Sequence, residues 1–223
     1  MSALPPGSIL GIVGGGQLGR MSAIAAARLG YRAHILTQDA DGPAAQVAHA
    51  VTLGRYDDHD ALRRFADAVD VITFEFENIS ADGLDLLSSI RPVHPAGRIL
   101  RISQDRIAEK TFMAENDIPV APWRGVHDRA DLDTAAEELG YPFILKTTRL
   151  GYDGKGQARI HDASELDAAF DRLRPHPLVA EGMVHFACEV SVMVARNERG
   201  EITTFDVTEN RHRNGILDLS LAP

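Results

Sequence analysis

The first hundred residues alternate short apolar runs with helical patterns, and this alternation restricts the fold more than any other feature. SILGIV (Ser8 to Val13), AHILT (Ala33 to Thr37), AVTL (50–53) and VDVITFEF (69–76) read as buried strands. QLGRMSAIAAARLG, ending at Gly30, and DDHDALRRFADAV read as helices between them. Strand–helix alternation of this kind predicts an α/β fold with a parallel sheet covered on both faces. PVHP, from Pro92, reads as one more short strand.

The texture changes near Gly97 to Ser103, so we expect an N-terminal domain over 1–100 and a second domain over 101–223. SQDRIAEKTFMAENDIPVAP reads as a helix capped by Ser103 and stopped at Ile118-Pro119. DRADLDTAAEELG reads as another, ended by Gly140 and Pro142. FILKT, ARI, LVAEGMV, CEVSVMVAR and EITTFDVTE read as strands, with the helix SELDAAFDRL among them, which makes this part α+β with neighbouring antiparallel strands. ENRHRNGILDLSLAP alternates like a strand with no closing helix or polar tail, so the expectation is an interrupted chain.

Bulk properties exclude some functions. A net charge of −9 over 223 residues argues against nucleic acid as the main partner, while leaving room for a local phosphate pocket. The single cysteine, Cys188, excludes an intramolecular disulfide, and no apolar run approaches the ~20 residues of a membrane span. We therefore expect a soluble cytoplasmic protein whose partners are small molecules.

Six features are candidates for chemistry. Gly14-Gly15-Gly16-Gln17-Leu18-Gly19 matches G-x-G-x-x-G after a strand and opens a helix, where amides approach a phosphate or another small polar ligand, or where the glycines serve helix–strand packing alone. A dinucleotide site also wants an acid near the end of the second strand, and Asp39 lies only near that distance. Glu75 and Glu77 of FEFEN close the fourth strand and, by period-two alternation, share one face at the ligand-binding end of the sheet. Arg106 and Lys110 lie four apart on one side of a helix, which reads equally as a solvated face. Lys146 ends an apolar strand, where an ammonium is costly without an anion. Beyond it, Gly151, Tyr152, Asp153, Gly154, Lys155, Gly156 and Gln157 form a glycine flap suited to folding over a polyphosphate, although it is no Walker A motif. Glu181-Gly182-Met183-Val184 and Glu189 sit at or in strands, where the glutamates read either as ordinary surface residues or as carboxylates that hold a ribose or a lysine, with backbone groups that read a base edge. His212, between Arg211 and Arg213, reads as a phosphate contact or as an exposed histidine in a basic turn.

The order of these features resembles the ATP-grasp superfamily: a D-R-x-x-x-K helix, I-P-x-A-P, a strand lysine, a glycine flap, E-x-x-V and C-E-V-S. GGGQLGRM, the E-F-E pair, QDR, GYDGKGQ and NRHRNGIL are similar to its ribonucleotide-carboxylating branch, the N5-carboxyaminoimidazole ribonucleotide synthases, from about Gly11 to Pro223. The resemblance implies a pre-ATP-grasp domain and the first part of a grasp domain. It implies ATP on Arg106, Lys146, the flap from Gly151 to Gln157, Glu181 to Val184, Glu189 and His212. It places Gly16, Gln17, Leu18, Glu75, Glu77, Tyr152 and Asp153 toward the ribonucleotide and gives Asp153 and Lys155 the catalytic roles. Magnesium ligands are expected beyond residue 223, and the full-length enzyme is expected to be a homodimer. The competing readings are a sister ligase of the same superfamily, a non-catalytic nucleotide-binding fragment, and an NAD-dependent oxidoreductase built on GGGQLG.

Overall fold

The computed structural model describes residues 4–149, 156–213 and 216–223. The described residues divide into two compact units, one ending at Gln104 and the other running from Asp105 to Pro223.

In the first unit, four parallel strands, β1 (Ile9–Val13), β2 (Arg32–Thr37), β3 (Ala50–Leu53) and β4 (Val71–Phe74), lie in the order β3-β2-β1-β4. The chain runs outward from β1 to β3 and returns to the other side of β1 as β4. This creates a switch point between the carboxyl ends of β1 and β4, where open α/β sheets bind ligands. Helices α1 (Gln17–Arg28), α2 (His59–Asp67), α3 (Ala81–Ser88) and α4 (Gly97–Ser103) complete the unit. Ile12, Ala23, Ala33 and Ile35 fill one core cluster, and Val13, Leu36, Leu62, Phe65, Ile72 and Leu84 fill the other. Asp58 caps α2 by accepting from the amides of Asp60 and Ala61, and Ser80 caps α3 by accepting from that of Gly83. The PVHP stretch makes a single bridge, Ile72 to Val93, rather than a strand.

In the second unit, β5 (Trp123–Val126), β6 (Phe143–Thr147), β7 (Gln157–Ile160) and β8 (Leu178–Gly182) form an antiparallel sheet in the order β5-β8-β6-β7. Phe143, Leu145, Ile160, Leu178 and Ala180 pack with Leu132, Ala135, Ala169 and Phe170 of α6 (Arg129–Leu139) and α7 (Leu166–Leu173). Alternation sends Ile144, Lys146, Val179 and Glu181 to the opposite face. There, α5 (Arg106–Glu115) brings Ile107 to Gly125 of β5, where an added Cβ would lie 3.2 Å from the Ile107 Cδ1. The cap of α5 is Asp105, which accepts from the amides of Ile107 and Ala108, and not Ser103, which belongs to α4. The rest of the unit consists of β9 (Glu189–Ser191), β10 (Val194–Arg196), β11 (Ile202–Thr204), β12 (Thr208–Arg213) and β13 (Ile216–Leu221). CEVSVMVAR is thus two short strands instead of one: β9 joins β12 and β13 in one sheet, and β10 pairs with β11 in another.

Candidate functional site

Among the described residues, each unit carries a concentration of polar side chains. In the first, a cleft of about 510 Å³ opens at the switch point, lined by Gly15, Gly16, Gln17, Leu18, Thr37, Gln38, Asp39, Tyr56, Glu75 and Phe76 among others. Gly14 has φ of +123°, and a Cβ there would lie 2.3 Å from the Cγ of Glu75, so glycine is required both by the backbone and by the approach of that side chain. The Glu75 carboxylate accepts from the Gly16 amide at 2.7 Å and, through its other oxygen, from the Gly19 amide. The N-terminus of α1, which has no acidic residue in its own first turn, is thereby served by a carboxylate from the far side of the switch point. Two of the amides that a phosphate or another small polar ligand was expected to approach, those of Gly16 and Gly19, are thus already paired with Glu75. Burial pushes the Tyr56 phenol up, against hydrogen bonds with Thr37 and Gly15, and the nearby Glu75 charge adds to the rise.

The paired-glutamate expectation also changes. β4 ends at Phe74, so period-two alternation does not extend over Glu75 and Glu77. Glu75 turns into the glycine loop and lines the cleft, whereas Glu77 is absent from the described lining and offers its backbone carbonyl to the Gln104 side chain.

In the second unit, the sheet face beneath α5 carries an ion-pair triad. Lys146 Nζ lies 2.6 Å from Glu181 Oε2, and Lys110 Nζ lies 3.0 Å from Glu181 Oε1. The Lys110 and Glu181 side chains are each 12% exposed and that of Lys146 is 21% exposed. Burial works to raise the Glu181 pKa, but the hydrogen bonds and charges of Lys146 and then Lys110 outweigh it and hold the carboxyl below its ordinary range. Two ammonium groups against one carboxylate leave a net positive, half-enclosed face suited to an anion. Arg106 enters from the start of α5 and donates through Nη1 to the Thr147 carbonyl at 2.8 Å, while its amide donates to the Thr148 carbonyl at 2.9 Å. Sequence reasoning paired Lys110 with Arg106 but gave it no site role. Their four-residue spacing was the available signal, and the partner on a distant strand was not. Tyr56 had no signal at all.

The remaining expected residues are less concentrated. The Gly156 carbonyl accepts from the Thr147 amide at 2.9 Å, and Gln157 pairs with Lys146 across β6 and β7. Gly182 closes β8 and donates to the Pro122 carbonyl at 2.8 Å, Met183 is half-buried, and Val184 is exposed. His212 lies in β12 rather than in a turn, with Nδ1 3.4 Å from Glu189 Oε1 of β9. Gly151, Tyr152, Asp153, Gly154 and Lys155 lie outside the described residues. Among the described residues, no three His, Cys, Asp or Glu side chains come together as a metal site, and no helix is long and apolar enough to cross a membrane.

The ATP-grasp domain family matches residues 111–223, just over half of the chain. The chain belongs to the ATP-grasp family. A ribonucleotide synthetase pre-ATP-grasp domain matches residues 8–104, so an ATP-grasp unit follows an N-terminal parallel-sheet unit. The N5-carboxyaminoimidazole ribonucleotide synthase of Brucella melitensis is 49% identical over 224 residues, covering 100% of this chain and 62% of the relative. A crystal structure of the Staphylococcus aureus N5-carboxyaminoimidazole synthetase complexed with ADP superposes with a TM-score of 0.92 at 41% identity, covering 96% of this chain and 57% of that one. The Aspergillus clavatus synthase, in complex with ADP and 5-aminoimidazole ribonucleotide, gives a TM-score of 0.88 at 28% identity, covering 96% and 56%. This ATP-grasp chain spans about three fifths of the length of the curated N5-carboxyaminoimidazole ribonucleotide synthases it matches.

Proposed function

We propose that this chain supplies the nucleotide- and ribonucleotide-facing portion of an N5-carboxyaminoimidazole ribonucleotide synthase of purine biosynthesis. The observation that carries the reading is the 49% identity to a synthase of that name along 100% of the chain, both units included. In this reaction ATP phosphorylates bicarbonate, and the resulting carboxyphosphate, or carbon dioxide released from it, carboxylates the exocyclic amine of aminoimidazole ribonucleotide.

Lys146 and Arg106 hold the ATP phosphates, with Lys110 adding charge through Glu181. Positioned cations of this kind stabilise the charge that spreads over a transferring phosphoryl group. Gly182, Met183 and Val184 offer backbone groups to the adenine, and Glu189 with His212 completes the nucleotide side. Gly16, Gln17, Leu18 and Glu75 face the ribonucleotide. The flap from Gly151 to Gln157 closes over the phosphates, with Lys155 neutralising charge, Tyr152 and Asp153 toward the amine, and water excluded from carboxyphosphate. Magnesium supplies further charge neutralisation in such transfers, but the described residues offer no carboxylate cluster for it, and we assign it no ligands. We place the full-length enzyme in the cytosol as a homodimer.

The test is ADP release with ATP, magnesium and bicarbonate, with and without aminoimidazole ribonucleotide, by this chain and by one extended to the length of the relatives. Ribonucleotide-dependent release by the extended chain, with ATP binding but no turnover by residues 1–223, is the expected result. No stimulation of either chain by the ribonucleotide would remove the reading.

A further inference from the structure

We propose that Glu75 is a built-in anion that plugs the N-terminus of α1, so that the cleft selects against phosphate at that point. A glycine loop opening a helix ordinarily presents its amides and the positive end of the helix dipole to a ligand's phosphate. Here both Glu75 oxygens already take those amides, one from Gly16 at 2.7 Å and the other from Gly19. The glycines fit this occupant: an added Cβ would lie 2.3 Å from the Glu75 side chain at Gly14 and 3.1 Å from it at Gly16 and at Gly19. The cleft supports the same conclusion independently. Its described lining contains two carboxylates, Asp39 and Glu75, and no lysine, arginine or histidine.

An incoming phosphate would have to displace a covalently tethered carboxylate and would meet a second negative charge, with no lysine, arginine or histidine in the described lining to offset either. Hydrogen-bond donors suffer neither penalty, because the carboxylates have lone pairs to offer them. Any phosphorylated ligand of this cleft therefore enters with its phosphate away from α1, and G-x-G-x-x-G in this chain is the imprint of an internal side chain. The inference does not rest on the carboxylation reading.

The experiment is a titration of the isotope-labelled chain with inorganic phosphate, following the Gly16 and Gly19 amide resonances, alongside E75A and E75Q. The natural chain is expected to keep both resonances fixed into the tens-of-millimolar range. E75A is expected to bind phosphate at these amides at least about tenfold more tightly, in line with the strength of charge-assisted bonds, with E75Q in between. Phosphate moving both amides of the natural chain, or leaving the folded variants unmoved, would overturn the proposal. Where neither variant folds, the natural chain decides through the hydrogen bonds themselves. Scalar coupling from the Gly16 and Gly19 amide nitrogens to the Glu75 carboxyl carbon supports the plug, and its absence refutes it. ADP release plays no part in this readout, so failure of the carboxylase assay and failure of the plug are separate results.

Discussion

Lys110 holds its ammonium 3.0 Å from one oxygen of Glu181, and the other oxygen of that carboxylate is taken by Lys146 at 2.6 Å. A helix and two strands are joined by one largely enclosed charge. Removing a shared, buried counter-ion leaves the remaining charges uncompensated, which costs more than the intact pairing contributes.

E181Q is therefore expected to lower unfolding free energy by about 3 kcal/mol, and K110Q by less, because Lys146 retains its partner. Urea denaturation of the three chains measures both. In ADP binding, K146A is expected to lose most of the affinity and K110Q to weaken it several-fold. Equal affinity across the three would show that this face is not the phosphate site.

The same carboxylate sets an acid limb. Its folded pKa is below the ordinary glutamate value, about 4.3, so the unfolded chain binds more protons in that window. The stabilisation is complete above that value and is lost as pH falls through the folded pKa. The pH dependence of stability in this range should be shallower in E181Q than in the natural chain, as read from denaturation midpoints at stepped pH.

His34 is buried, with Nε2 2.8 Å from the Thr52 hydroxyl and its ring edge-on to Phe65. Burial, and then the neighbouring His49, lower its pKa. Its contribution is complete above about pH 6.5, the ordinary histidine value, and is lost as pH falls from there toward the folded pKa. H34Q should flatten that part of the stability profile, and an unchanged slope would contradict the assignment.

Gly15 is closed to larger side chains, since a Cβ would lie 2.1 Å from the Thr37 hydroxyl oxygen. G15A is expected to cost about 1–3 kcal/mol, as overpacking does, and to narrow the cleft. A G15A/T37G pair should recover part of the loss in thermal melts.

Apolar side chains from β9 to β13 remain in the open, including Val190 (56%), Met193 (72%), Phe205 (69%) and Ile216 (63%). Residues 1–223 are expected to bind an apolar-surface dye and to self-associate, as exposed strands and patches do. Sedimentation as a clean monomer with no dye signal would contradict this.

The sequence by itself determined the parallel sheet of the first unit, the antiparallel α+β texture of the second, and the family resemblance, because periodicity, caps and spacing act locally along the chain. It also marked Arg106, Lys146, Glu181 and the glycine loop. Local signals failed where two solutions were locally equivalent. Ser103 and Asp105 are both good caps two residues apart, and the helix packed on β5 uses Asp105. Only the tertiary structure showed that Glu75, and not Glu77, is in the described lining of the cleft, because the strand stops at Phe74 and the Glu75 carboxylate then follows the nearest unsatisfied amides. It likewise decided that Lys110 shares Glu181 with Lys146, since a charge leaving water takes whichever opposite charge the packed sheet places beside it, however far apart the two lie in sequence.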